Sequence, residues 1–393
     1  MRPDPARNAP VSAAKLLTAA LLTMIACLTP SPSKADSTAR VGDEPGGNWR
    51  PMSGVGAPSD REHPVSVWTG ARAIFWSGFV GEPHTARRLY DGALYDPATD
   101  AWTPMASGPD TSFAPTATAW DGTELLAWDL AARSGSQREP AGWAYNPSFD
   151  IWRPLSTTGM PSPRFDAAVA WDGTALLVWG GFATGATDPL TFELADGARY
   201  DPVTDAWLPI ASLSAPSPRG GVLSTWTGAE LLVWRRAGHG EDHAGARYDP
   251  VADAWTSMAA GGPPTVLCYG GSAIWTGTDL LIWCPFDGAA VYNLASDAWR
   301  PASSQGVSYS WGNNQPPVWT GREMIVLDQW FGHTQSRRYD PTTDQWSPVE
   351  ANPFINSFIQ PGIVWAGAEL LVLGSIWDGE KRTQTGFRYT PPR

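Results

Sequence analysis

The chain has 393 residues, 42% of them hydrophobic, with 40 Gly, 37 Pro and a formal charge of −12. Such a balance opposes nucleic acid or an anionic membrane surface as a partner, because like charges repel. The apolar content supports a large core, and the Gly and Pro content points to many turns.

Residues 1–35 read as an export signal. Arg2, Arg7 and Lys15 supply positive charge, Leu16 to Ala26 form an apolar run of 11, and Ser33-Lys34-Ala35 is a small-x-small cleavage site. The run is short for a membrane span. Met24-Ile25-Ala26-Cys27 also resembles a lipoprotein box, with Met where Leu is usual. Cys27 is therefore either discarded with the signal or a lipid anchor, and both outcomes place the mature protein in a secreted, periplasmic or cell-envelope location. Residues 36–47 form a polar linker.

From residue 48 to residue 391 one unit repeats. A Trp-x-Gly marks the same place in each of seven units, at Trp68, Trp120, Trp171, Trp226, Trp275, Trp319 and Trp365. A Tyr follows each, at 95, 145, 200, 248, 292, 339 and 389, and a Trp stands seven residues after each of the first six. The seventh Trp is missing after Tyr389, but Asn48-Trp49-Arg50-Pro51-Met52 matches Ala101-Trp102-Thr103-Pro104-Met105. A ring whose N-terminal strand completes the last unit accounts for both irregularities. The period of about 50 residues, the apolar runs such as Leu176-Leu177-Val178-Trp179 and the turn-rich composition predict an all-β fold: a seven-bladed β-propeller of four-stranded antiparallel blades, A to D. Asp172-Gly173 and Thr276-Gly277 are expected to make two-residue A–B hairpins, and Asp-Pro-Val-Thr-Asp (201–205) is expected to make a C–D turn.

Gly180-Gly181, Tyr200 and Trp207 carry the double glycine, tyrosine and tryptophan of a kelch repeat, and over 48–391 the chain resembles the kelch-repeat propellers, including the central domain of galactose-oxidase-like proteins. Only this blade keeps both glycines; blade one, for example, has Ser77-Gly78. The copper-radical members of that group need a Cys–Tyr cross-link and paired histidines, a constellation that Cys268-Tyr269 does not supply, so no cofactor is expected.

The distance from the strand-B slot to Tyr varies across the blades (19, 17, 21, 14, 9, 12 and 16 residues), whereas the A–B and C–D spacings are constant. Variable loops commonly carry function, so ligand binding is expected on the face bearing the B–C and D–A connections. There, in blades six and seven, Trp311, Trp330, Phe358 and Trp377 interleave with Asn313, Asn314, His333 and Gln360 as an apolar platform with a polar rim. Such a platform fits a sugar ring or an aromatic-containing peptide, although the same aromatics would also serve as a satellite core. Arg61, Arg164 and Arg219 each precede a Trp-x-Gly by seven residues. They would either converge on a carboxylate or each pair with a turn acid between blades.

His239 and His243 are the best metal candidates, in a loop that reads equally well as a solvated acidic turn, and no metal is expected. Cys268 and Cys284 invite a disulfide in an exported protein, but hairpin parity places them on opposite faces unless the backbone bulges near Gly270-Gly271. No nucleophile-and-base spacing or phosphate loop is visible. The expectation is a non-catalytic binding module for an extracellular or cell-envelope glycan or protein. The alternative is a sugar-acid mutarotase or epimerase, since the resemblance includes exported bacterial sialic-acid mutarotases.

Overall fold

The computed structural model describes residues 48–81, 86–109, 113–131, 141–184, 193–216, 222–235, 244–260, 268, 271–284, 288–303, 316–327, 336–350, 358–377 and 382–392. They form a ring of seven four-stranded antiparallel sheets, a β-propeller, with no helix among them. Blade three shows the plan: strands A to D are Ala168–Trp171, Leu176–Trp179, Gly197–Asp201 and Ala206–Pro209, paired in that order. Blade seven takes its first three strands, Phe358–Trp365, Leu370–Trp377 and Arg382–Tyr389, from the C-terminal end of the sequence. Its outer strand is Trp49–Pro51, with Trp49 opposite Tyr389, as the ring-closure reading requires. In the other six blades the same Tyr faces the Trp seven residues on, as in Tyr200↔Trp207 and Tyr292↔Trp299.

The B strands sit between two neighbouring sheets, and four-residue runs such as Ala73–Trp76 and Leu176–Trp179 are buried along their whole length. Trp76, Trp128, Trp179, Trp234 and Trp283 fill the strand-B slot and reach the outer-strand Trp of the next blade. The ring centroids lie 4.5 Å apart for Trp76–Trp152, 4.6 Å for Trp179–Trp255 and 4.9 Å for Trp283–Trp346. Each such pair adds about 0.5–1.5 kcal/mol beyond the area it buries. Blades six and seven carry Leu327 and Leu373 in this slot, both buried.

A polar clasp repeats beside these aromatic contacts. Five residues after Tyr stands an Asp with φ between 49° and 55° (100, 150, 205, 253, 297 and 344), a conformation that its short side chain tolerates. Its carboxylate accepts the Tyr hydroxyl of its own blade and a backbone N–H of the preceding one: Asp253 takes Tyr248 Oη at 2.7 Å and Ala211 N at 3.0 Å. In five of the six the same preceding residue accepts the outer-strand indole, as in Trp255 Nε1 to Ala211 O at 2.8 Å and Trp299 Nε1 to Ala259 O at 2.9 Å; the exception is Trp207, whose Nε1 makes no hydrogen bond. These bonds hold Asp253 and Asp297 below the usual carboxylate range, the Ala211 N–H leading at the first and the Tyr292 hydroxyl at the second. Burial, with the acid beside it, pushes each Tyr hydroxyl well above its usual range. In blade seven Glu350 takes the acid's place, accepting Tyr389 Oη on its carboxylate and Trp49 Nε1 on its carbonyl. Much of the chain's acidity is thus structural.

The A–B hairpins differ from the expected two-residue turn. All seven have four-residue loops, such as 172–175 between Trp171 and Leu176. The first residue donates its N–H to the carbonyl of the fourth, for example Asp172 N to Ala175 O at 3.0 Å. The glycine in second place has φ between 80° and 102°, which excludes an ordinary side chain there. The longer loop moves the pairing by two residues and so keeps parity, and the two indoles of a blade still point to opposite neighbours. In six loops a Thr or Asp side chain in first place also accepts the N–H of the fourth residue, as in Thr227 Oγ1 from Glu230 N at 2.8 Å and Asp172 Oδ1 from Ala175 N at 2.7 Å. Blade seven has Ala366 there. Ala366→Thr supplies the missing acceptor and is expected to raise stability by about 0.5–1.5 kcal/mol, read as a higher urea midpoint at unchanged slope.

Cys268 and Cys284 form a disulfide with Cα atoms 4.9 Å apart. Strand A of blade five begins only at Ser272, which pairs with Trp283, so Cys268 lies off the ladder and escapes the parity restriction. Gly271 makes this geometry possible, because a Cβ there would sit 2.2 Å from Cys268 Sγ.

Candidate functional site

On the B–C and D–A face, blades one and three continue beyond their four strands. In blade three Gly180 and Gly181 both adopt positive φ (65° and 89°) and turn the chain into Phe182–Ala183, which pairs with Arg164–Phe165 and bridges Glu193. A Cβ on Gly181 would lie 2.6 Å from the Phe165 carbonyl. Blade one repeats the arrangement with Ser77-Gly78 (φ 62° and 101°): Phe79–Val80 pairs with Arg87–Arg88 and bridges Glu62. Ser77 therefore adopts the conformation of Gly180, the first glycine of the blade-three pair, which a count of Gly-Gly pairs does not reveal.

Arg61 and Arg164 anchor these two extensions. Arg164 is fully buried. Its Nε donates to Ser162 O, Nη1 to Gly180 O and Asp196 O, and Nη2 to Ser162 Oγ and the Asp196 carboxylate, at 2.8–3.1 Å. Arg61 makes the same set with Ser59 O, Ser77 O, Asp91 O, Ser59 Oγ and Asp91 Oδ2, at 2.8–3.2 Å. Burial lowers the Arg61 pKa, and Asp91 opposes that shift. A guanidinium has five N–H donors, and here each group spends them within its own blade. This corrects two expectations: neither arginine offers a donor to an external carboxylate, and their acids Asp91 and Asp196 belong to the same blade, not to a neighbour. Arg219 lies outside the described residues.

The extensions present aromatic surface. Phe165 and Phe182 stack with centroids 5.2 Å apart, and Phe165 is 38% exposed. The guanidinium of Arg88 lies 4.2 Å from the centroid of Phe79. The sequence signal for both features is the combination of Arg seven residues before Trp-x-Gly, a Gly-Gly or Ser-Gly pair after strand B, and an Asp just before strand C.

Blade seven is extended as well, with three strands of eight residues. Of the expected platform, it carries Phe358, Gln360 and Trp377. Phe358 pairs with Ile376 and Trp377 with Arg382, so the two aromatic positions share the outer end of one hairpin. Gln360 sits in a bulge with φ 43°, and its carbonyl accepts His63 N at 2.7 Å. The extension is tied to blade one: Ser375 Oγ donates to the Asp60 carboxylate and to Arg61 O, and Gln384 Oε1 accepts Arg61 N at 3.2 Å. Trp311, Asn313, Asn314, Trp330 and His333 lie outside the described residues, as do His239 and His243. Among the described residues no group of three or more His, Cys, Asp or Glu is assembled to hold a metal.

The opposite face carries two open clefts that sequence reading did not single out, of about 750 and 620 Å³, between the A–B loops and C–D turns of blades two to four. Arg199, Asp172 and Thr174 line both.

No known family model matches this chain, and no curated protein matches it.

Proposed function

We propose that this chain is an exported, kelch-type binding propeller that grips a glycan or protein of the cell envelope or its surroundings without transforming it. The observation that carries this reading is the pair of aromatic extensions on one face, locked in place by saturated, buried arginines. Stacked rings such as Phe165 and Phe182 offer apolar area at small entropic cost, because their backbone is already fixed. A sugar-acid mutarotase would need guanidinium donors to hold its substrate. Arg61 and Arg164 have none to spare, so that reading keeps only Arg219.

The test is glycan-array screening, together with pull-down of identified envelope proteins, using wild type, Phe79→Ala, Phe165→Ala and Trp377→Ala. The expected result is a ligand retained by wild type and lost in at least one variant whose unfolding midpoint is unchanged. A wild-type protein that retains nothing overturns the function. Variants that all bind like wild type overturn the site.

A further inference from the structure

Four blades place an Arg immediately before the strand-C Tyr: Arg199, Arg247, Arg338 and Arg388. In three of them the A–B loop ends in Glu, which meets the guanidinium at 3.7 Å (Arg247–Glu230), 3.3 Å (Arg338–Glu323) and 2.6 Å (Arg388–Glu369). Arg388 shows the full arrangement. Its Nε and Nη2 hold Glu369 with two bonds, at 2.8 and 2.6 Å, while Nη1 reaches across to Tyr95 Oη of the next blade at 3.3 Å. Blade three keeps the arginine but has Ala175 in place of Glu. Arg199 Nη1 reaches across to Pro250 O at 3.3 Å, and the guanidinium has no ion pair among the described residues. The carboxylate present in the other three blades is absent here, and the 750 and 620 Å³ clefts meet at this arginine.

The rest of the lining restricts the ligand. Trp226 and Val251, which is 94% exposed, give the larger cleft an apolar wall, while Asp172, Glu230 and Asp249 bring negative charge. Glu230 is paired with Arg247, but Asp172 and Asp249 are bonded only to N–H and hydroxyl groups of their own turns. A bare anion would meet Arg199 and be repelled by these acids. A molecule carrying a carboxylate and an ammonium together satisfies both signs. We propose that the cleft between blades three and four binds a free α-amino acid with an apolar side chain, its carboxylate held by the Nε and Nη2 edge of Arg199 and its ammonium directed toward Asp172 and Asp249.

This site lies on the face opposite the aromatic extensions and stands or falls separately from them. The probes are free L-leucine and L-phenylalanine, their carboxylate-only analogues 4-methylpentanoate and 3-phenylpropanoate, and the corresponding amines, titrated by calorimetry into wild type, Arg199→Gln and Ala175→Glu. Wild type is expected to bind at least one of the two amino acids, with either analogue weaker by about tenfold or more, as loss of a charge-assisted bond implies. Arg199→Gln is expected to lose binding. Ala175→Glu, which supplies the internal carboxylate that Glu369 supplies in blade seven, is expected to abolish binding with an unchanged or raised thermal midpoint. Absence of binding in wild type overturns the proposal. So does undiminished binding by Ala175→Glu, or a carboxylate-only analogue that binds as well as its amino acid.

Discussion

Arg164→Met is expected to destabilise the protein by about 3–5 kcal/mol, the range for removing one member of a buried, hydrogen-bonded ionic group. Methionine fills most of the volume, so the loss is not a cavity effect. The substitution strips the donor from the carbonyls of Ser162 and Gly180 at a side chain with no solvent exposure, while Asp196 O keeps the Gly180 N–H. Each buried carbonyl left without a donor costs about 1–3 kcal/mol. The carboxylate of Asp196 adds little, because at 59% exposure it returns to water when its partner leaves. Arg153→Met is the control. Arg153 also holds a carboxylate with two donors, from Glu124, but it is 42% exposed and serves no buried carbonyl. It is expected to cost less than about 1 kcal/mol. Urea unfolding of both variants decides the matter, and equal midpoints would show that Arg164 is an ordinary surface ion pair.

The two arginines also mark where sequence reading reached its limit. Spacing from Trp-x-Gly located Arg61 and Arg164, but residue identity alone does not say whether a guanidinium has donors to spare. Their acids lie 30 and 32 residues downstream, across a loop of variable length. The ring itself was legible because each blade repeats the residues that touch its neighbours, so Trp49 could be matched to Trp102 without any structure. The hairpin loops were misjudged by two residues because a glycine in second place suits a two-residue turn as well as a four-residue one, and parity hides the difference. Arg199 escaped notice for another reason. Its environment is defined by what Ala175 lacks, and an absent Glu becomes visible only when blades four, six and seven show where the carboxylate belongs. Of the expected aromatic platform, Trp311 and Trp330 lie outside the described residues, so only its blade-seven half has a backbone setting.

Trp49→Ala is expected to cost about 3–5 kcal/mol, the usual range for deleting a buried indole, and to open the ring locally, which no other outer-strand Trp variant should do. Trp49 is 3% exposed, packs 4.8 Å from the ring of Tyr389 and donates to Glu350 O. Trp255 is a close match: 6% exposed, 5.1 Å from the ring of Tyr248 and bonded to Ala211 O. The energy lost at Trp255 should therefore be similar or somewhat larger, since its ring also lies 4.6 Å from that of Trp179. The consequences differ because the strand of Trp255 is joined within the ring at both ends, to strand C of its own blade and to strand A of the next. Among the described residues, the chain joins the strand Trp49–Pro51 to the ring through Met52 and Ser53 alone, and the strand reaches blade seven by its pairing with Phe387–Tyr389, by the Met52 N to Gly386 O and Thr390 N to Asn48 O bonds, and by the Arg50–Glu369 ion pair. Once the indole is gone, the short ladder, the Arg50–Glu369 pair and the buried Met52 side chain remain to resist local opening, and the free energy of opening falls below that of global unfolding. Limited proteolysis under native conditions should then cut Trp49→Ala close to residues 48–53 while leaving Trp255→Ala intact. Amides of residues 386–389 should exchange faster in the first variant alone. Equal protease resistance of the two variants would mean that the ring holds without the N-terminal strand, and that blade seven is closed by its extended hairpin and its bonds to Asp60 and Arg61 instead.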